Sequence, residues 1–294
     1  MLFLDDNFLK KEALVHFEVF HKGIEKNKTF QYWRVNVIIR DFISSIAIRM
    51  RFQDMSQEQQ IQVRRQVAQF NERFANIQNG SATTDIILTP EFVLNDYILN
   101  KDVFQSDKMT AVEFARWIAY NNGEYFDKIV MDMCCGGGIQ GIVALLRGAR
   151  HVTFVDYSEE ACQNTLENIV HYGLEDKADV IQSDLFKSVK TKTDLIVVNP
   201  PFFPGEPLED EPISRTMCFG EEKAHELYRE AKRYAPKMAV CHWDLAGREN
   251  DPENLGPKYG WNVTRRLFLP TGYGLQQVSG SDKEYHFKVD VLER

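Results

Sequence analysis

From residue 128 onward, short apolar runs alternate with stretches patterned like helices. Ile129-Val130-Met131 runs into Asp132 and a glycine cluster, and helical spacing follows through Arg147. His151-Val152-Thr153-Phe154-Val155 reads as a buried strand ending at Asp156. Next come a helix over residues 159–172, a strand over 179–182, and a strand over 194–198 that ends at Asn199. A helix over 221–234 leads to a strand over 238–242. Strands that alternate with helices predict βαβ units and a mostly parallel sheet. The tail differs: residues 261–269 and 285–292 are strand-like runs joined by a glycine-rich loop, so a hairpin closes the sheet with one antiparallel strand.

The first eighty residues lack this alternation. Three runs, over residues 7–26, 30–52 and 57–77, carry apolar residues at helical spacing, as at Trp33, Val37 and Ile48. Gly80, in Asn79-Gly80-Ser81, suits a left-handed cap on the third run. Residues 81–109 read as a connector, with Thr89-Pro90-Glu91 as a helix start because proline suits a first turn. Thr110 opens another short helix, over residues 111–120. The division expected is an N-terminal helical cap, substrate region and connector over 1–109, and a catalytic domain over 110–294. The aromatics of Phe30-Gln31-Tyr32-Trp33-Arg34 and of residues 17–20 read chiefly as core, within helices able to close over a ligand.

Composition narrows the function classes. The chain has 294 residues, 44% of them hydrophobic, which is ample for a sizeable core. A net charge of −8, with no basic stripe in the N-terminal runs, argues against nucleic acid as the substrate. The five cysteines are odd in number and show no C-x-x-C spacing, which suits a reducing cytoplasm. Met1-Leu2-Phe3-Leu4-Asp5-Asp6 lacks the basic start of a signal peptide. The most apolar long stretch, residues 35–50, is broken by Arg40, Asp41 and Arg49, so no membrane span is expected. The seven histidines are scattered without metal-ligand spacing, and no metal is expected. Oligomeric state is not legible.

The first strand–helix junction carries Asp132-Met133-Cys134-Cys135-Gly136-Gly137-Gly138. Glycines there let backbone approach a ligand where a side chain would clash. The second strand ends at Asp156, where a carboxylate can accept two hydrogen bonds from a ribose diol. A carboxylate leading the loop would repel a pyrophosphate, but it suits the α-ammonium of S-adenosylmethionine (SAM). Cys134 and Cys135 read as small buried fillers.

In this order the motifs resemble the class I SAM-dependent methyltransferases, and among them the HemK-type glutamine methyltransferases and their small-molecule relatives. Asp132 to Gly138 resembles their glycine loop, in the variant with cysteine at the first glycine position. Asp156 resembles the ribose-binding acid. Gln182-Ser183-Asp184-Leu185-Phe186 resembles the segment against the adenine, and Asn199-Pro200-Pro201-Phe202 resembles their N-P-P-[YF] signature. The resemblance covers roughly residues 103 to 293. It implies an α/β fold: a Rossmann-like seven-stranded sheet, mostly parallel with one antiparallel strand, preceded by an N-terminal helical region. It also implies SAM as cofactor, held by Asp132, Cys134, Gly136, Gly138, Asp156, Tyr157, Ser183, Asp184, Asn199 and Thr110, with Phe104 a weaker candidate.

The Asn-Pro-Pro-Phe turn is the expected reactive centre. Two prolines remove two backbone donors, so the carbonyls of Asn199 and Pro200 can face the cleft with no competing N–H. With the Asn199 side-chain oxygen they suit a nitrogen held through its own N–H groups. Phe202 offers a ring face to substrate or sulfonium. Asn199, Pro200 and Phe202 are therefore the catalytic candidates. The loop that follows is proline-rich and acidic, with Glu206, Glu209, Asp210 and Glu211. It reads as a solvated loop or as a lid for a cationic substrate.

The sequence favours an N-methyltransferase acting on an amine, amide or guanidinium of a small amino-acid-derived molecule, in a biosynthetic role. Two alternatives stay open: methylation of a protein glutamine, and a cyclase or lyase that turns SAM into azetidine-2-carboxylate and methylthioadenosine.

Overall fold

The computed structural model describes residues 52–75, 80–208, 212–247, 250–268 and 286–294. The chain divides into two compact units, Met1–Ile48 and Arg49–Arg294, and the described residues lie in the second. The helical runs expected over 7–26 and 30–52, their aromatic segments and the acidic stretch 209–211 fall outside the described residues, Phe52 excepted.

Helix α1, Gln57–Phe74, is the third expected helical run. Ser56 starts it with a capping box: its hydroxyl accepts from the Gln59 N–H at 3.2 Å, and the Gln59 side chain accepts from the Ser56 N–H at 3.0 Å. Val63, Val67, Phe70 and Phe74 bury one face. Arg73 ties its end to Asp107 at 2.8 Å.

The segment read as a connector is instead a hairpin. Strand β1, Ser81–Thr89, pairs antiparallel with β2, Phe92–Asn100, and Pro90-Glu91 is the turn between them rather than a helix start. The physical reason is its β-branched content. Thr83 pairs with Ile98 and Ile87 with Val93, and Thr84, Ile86 and Thr89 pair with Tyr97, Leu94 and Phe92; most of these residues are β-branched or aromatic and favour a pleated, half-buried surface. Proline fits a two-residue connection because it has no N–H to give to the ladder.

Helix α2, Met109–Tyr120, precedes the main sheet. The following elements are β3 (Ile129–Met133), α3 (Ile139–Leu146), β4 (His151–Asp156), α4 (Glu159–His171), β5 (Ala178–Gln182) and β6 (Leu195–Val198). Then come α5 (Glu221–Ala231), β7 (Lys237–Trp243), α6 (Pro252–Leu255), β8 (Asn262–Phe268) and β9 (Phe287–Glu293). The seven strands lie in the order β5-β4-β3-β6-β7-β9-β8, all parallel except β9, which runs against both β7 and β8. The Rossmann-like sheet expected from the sequence is therefore present, with its single antiparallel strand.

Strand alternation divides the core between the two faces. Val130, Leu195, Val197 and Ala239 pack on one side, and Met131, Ile196, Val198 and Met238 on the other. These runs read as continuous hydrophobic stretches because both faces are covered. Among the described residues, no helix is long and apolar enough to cross a membrane, and none of their His, Cys, Asp and Glu side chains group as a metal site.

Candidate active site

Strand order reverses between β3 and β6, and open α/β sheets bind ligands outside the carboxyl ends of strands at such a point. A cleft of about 930 Å³ lies there. It is lined by the residues that follow β3, β4, β5 and β6, the end of β7, the first turn of α2, and Gln66 of α1.

The glycine loop is held by the chain itself. Cys135 N–H donates to the Val155 carbonyl at 3.1 Å, and Gly138 N–H closes a turn onto the Cys135 carbonyl at 2.8 Å. Gly138 has φ +85° and caps α3, a conformation glycine adopts without strain. From α4, the Thr165 hydroxyl donates to the Gly136 carbonyl at 2.8 Å, and the Asn168 amide to the Gly137 carbonyl at 3.1 Å. Asn168 also brackets Ile98 of β2, accepting from its N–H at 2.8 Å and donating to its carbonyl at 2.9 Å. One buried asparagine thus joins the hairpin to the glycine loop.

Asp156 organises the second strand end. One carboxylate oxygen accepts the Gly136 N–H at 2.9 Å and the other the Ser158 N–H at 3.0 Å. Burial pushes its pKa up, while these N–H groups oppose the rise. Ser183 N–H donates to the Asp156 carbonyl at 2.7 Å, which fixes the third strand end beside the second. Asp184 is gripped by Lys187 at 2.6 Å and by Lys223 at 2.6 and 2.7 Å. Burial alone would raise its pKa, but the two lysines outweigh that and hold the carboxyl below its usual value. Exposed Tyr157 and buried Thr110 also line the cleft, as do Cys134, Gly136 and Phe104.

Two of the expected cofactor residues stand behind this lining. Asp132 is 1% exposed; one oxygen accepts the Gly141 N–H at 2.9 Å and the other has no partner among the described residues. Burial, with the charge of Asp156 beside it, pushes its pKa well up. Gly138 sits under the loop against Thr165 and Phe154.

On the other side of the switch point, Asn199, Pro200, Pro201 and Phe202 all line the cleft. The following residue, Phe203, is pinned to a neighbouring segment. Its N–H donates to the Met217 carbonyl at 2.9 Å, and its carbonyl accepts from Phe219 at 2.8 Å. Asn250 donates to the Phe202 carbonyl at 3.5 Å, and the Phe202 ring meets His242 edge-on, with centroids 6.5 Å apart. Burial holds the His242 imidazole below its usual pKa, against the pull of Asp251 at 3.9 Å. Despite all this support, the Asn199 side-chain oxygen is buried with no partner among the described residues.

Sequence reasoning missed Trp243, Phe287, Gln66 and Lys223, which also line the cleft. Trp243 stands one residue past the expected end of its strand. Glu206 of the acidic loop lines the cleft, and residues 209–211 lie outside the described residues.

Comparison with known proteins agrees with this geometry. Residues 108–222 match the family model of the methyltransferase small domain. The chain is 31% identical over 161 residues to the release factor glutamine methyltransferase of Borreliella burgdorferi, covering 52% of this chain and 55% of that protein. It is 35% identical over 133 residues to the ribosomal protein uL3 glutamine methyltransferase of Francisella tularensis, covering 44% and 35%. A ribosomal protein L11 methyltransferase from Caldanaerobacter subterraneus is 42% identical over 71 residues, covering 24% and 23%. The chain therefore spans about half, or less, of the length of these relatives. All three are named for modifying proteins, which overturns the small-molecule acceptor expected from the sequence.

Proposed function

We propose that this chain, whose residues 108–222 match the family model of the methyltransferase small domain, transfers a methyl group from SAM to the side-chain amide nitrogen of a protein glutamine. The cleft fits that cofactor: glycines leave backbone open at the loop, and Asp156 stands ready at the second strand end with lone pairs to spare for a diol. Cys134, Gly136, Asp156, Tyr157, Ser183, Asp184 and Thr110 would hold it there. Bound there, SAM supplies a methyl group on a cationic sulfur that departs as a neutral thioether.

One observation carries the reading that the acceptor bears an N–H: the buried Asn199 side-chain oxygen, without a partner among the described residues, on a residue that lines the cleft. An unmatched buried acceptor is costly and calls for a donor. A carboxamide N–H is such a donor, and the backbone carbonyls of Asn199 and Pro200, next to two prolines that offer no competing N–H, are the candidates to receive a second. Phe202 offers a ring face beside them. The chain thus contributes alignment at short range more than acid–base chemistry. The glutamine-modifying names of two relatives support the same reading.

The test is methyl transfer from labelled SAM to purified release factor, uL3 and L11, followed by peptide mapping. Label on a glutamine side chain is the expected result. Label on lysine or on a terminal amine, with none on glutamine, would overturn the reading.

A further inference from the structure

The acceptor side of the cleft holds a second buried polar group without a partner. Trp243 is among the residues that line the cleft, it is 1% exposed, and its buried indole nitrogen meets no acceptor among the described residues. Packing does not leave the ring free to turn away. It lies between Phe203, at 5.9 Å, and Phe287, at 4.8 Å between centroids.

Strand register brings Trp243 to the same end of the sheet as Asn199. Val197 pairs with Ala239 and Val198 with Val240, and β7 continues to Trp243 after β6 has ended. Val197, Cys241 and Trp243 all pack into the core on one face of the sheet. Asn199 directly follows the last residue of β6, and the same register carried one step further sets it level with Cys241, two residues before Trp243. The two residues therefore follow or end adjacent strands and line one cleft, each with a buried polar atom that has no partner among the described residues.

A lone acceptor can be met by any N–H: an amine, a guanidinium or an amide. An acceptor and a donor side by side are met by a group that carries both, and a primary carboxamide does so in one plane. We propose that the Trp243 indole N–H receives the carbonyl oxygen of the acceptor carboxamide while Asn199 receives its N–H, so that Trp243 selects glutamine over amine and guanidinium side chains. This rests on the glutamine reading above and deepens it. Selection of this kind is steep because the wrong side chain leaves buried polar groups unpaired.

The test uses the full chain loaded with S-adenosylhomocysteine (SAH) and labelled with ¹⁵N-tryptophan. Trp243→Phe assigns the indole signal. N-acetylglutamine methylamide is the probe, and N-acetylnorvaline methylamide, which lacks the carboxamide, is the control. The Trp243 indole signal is expected to shift with the glutamine probe and to stay still with the control. In Trp243→Phe, KM for the glutamine probe rises about tenfold while SAH affinity holds, the size expected for one lost hydrogen bond to a buried partner. Trp33→Phe, Trp117→Phe and Trp261→Phe assign the other three indole signals and leave that of Trp243 by elimination, so the proposal stays testable if Trp243→Phe folds poorly. An indole that moves with SAH alone and ignores the glutamine probe would overturn the proposal and leave glutamine methylation standing. So would an unchanged KM in Trp243→Phe. Wild-type protein that methylates no carboxamide would overturn both.

Discussion

The two halves of the cleft are built on opposite plans. At the ends of β3, β4 and β5 the chain supplies its own partners: Asp156 takes Gly136 and Ser158, α4 takes the carbonyls of Gly136 and Gly137, and two lysines take Asp184. At the ends of β6 and β7 the neighbouring backbone is pinned just as firmly, yet Asn199 and Trp243 each hold a buried polar atom with no partner among the described residues. Asp132, at the end of β3, also keeps one oxygen without such a partner, but it stands behind the cleft lining, whereas Asn199 and Trp243 belong to that lining, where a molecule from outside can supply what is missing. On the function proposed above, the first half receives the cofactor preorganised, and the second is completed by the acceptor.

The largest effect is expected on the unfinished side. Asn199→Ala should lower methyl transfer about a hundredfold or more, the range seen when one aligned polar group is removed from a reacting centre. Steady-state rates with the glutamine probe check this, and a rate within a few-fold of wild type would break the comparison from that side.

Next comes the self-satisfied half. Asn168→Ala removes three hydrogen bonds made by a fully buried side chain, to the Ile98 N–H, to the Ile98 carbonyl, which keeps Asn164 at 3.0 Å, and to the Gly137 carbonyl. It should cost about 3 kcal/mol of stability, at roughly 1 kcal/mol for each lost bond, read from the denaturant midpoint. SAH affinity should fall with it, because the loop loses its anchor. Gly138→Ala forces a side chain into φ +85° and brings its Cβ to 3.0 Å from Thr165. A loss of about 1–2 kcal/mol is expected by the same measurement.

The mildest prediction concerns the support behind Phe202. Burial lowers the folded pKa of His242 from 6.5 to about 4, so the folded protein binds fewer protons than the unfolded chain between those values. Stability therefore declines as pH falls from 6.5 toward about 4. In His242→Gln that portion of the decline should vanish, leaving a shallower slope in melting temperature over the same window.

The same contrast explains what could be seen in the sequence. The sheet was legible because strands buried on both faces read as unbroken apolar runs, such as Leu195-Ile196-Val197-Val198. The hairpin was not, because β1 is largely exposed and its polar threonines mask its β-branched pattern, while Pro90 imitates a helix start. In the cofactor half, the loop, Asp156 and Ser183-Asp184 stood out as local motifs, each at a strand end. Position along the chain could not show that the Asp132 carboxylate turns under the loop to Gly141, since that depends on which face of β3 it occupies. Trp243 was hidden for another reason. It lies far along the chain from the Asn199 turn and comes near it through the pairing of β6 with β7 and the packing of its ring on Phe203. The small-molecule acceptor expected from the sequence failed because charge and aromatic content describe a surface, not the group received inside the cleft.

Asn199 stands at the seam, since the sequence assigned it to both cofactor and acceptor. Titrating SAH into Asn199→Ala by calorimetry separates those roles most directly. An affinity within about threefold of wild type, well under the tenfold that about 1.4 kcal/mol would give, is the result expected if the residue belongs to the acceptor half. A loss of tenfold or more would place Asn199 in the cofactor's half and contradict the division of the cleft.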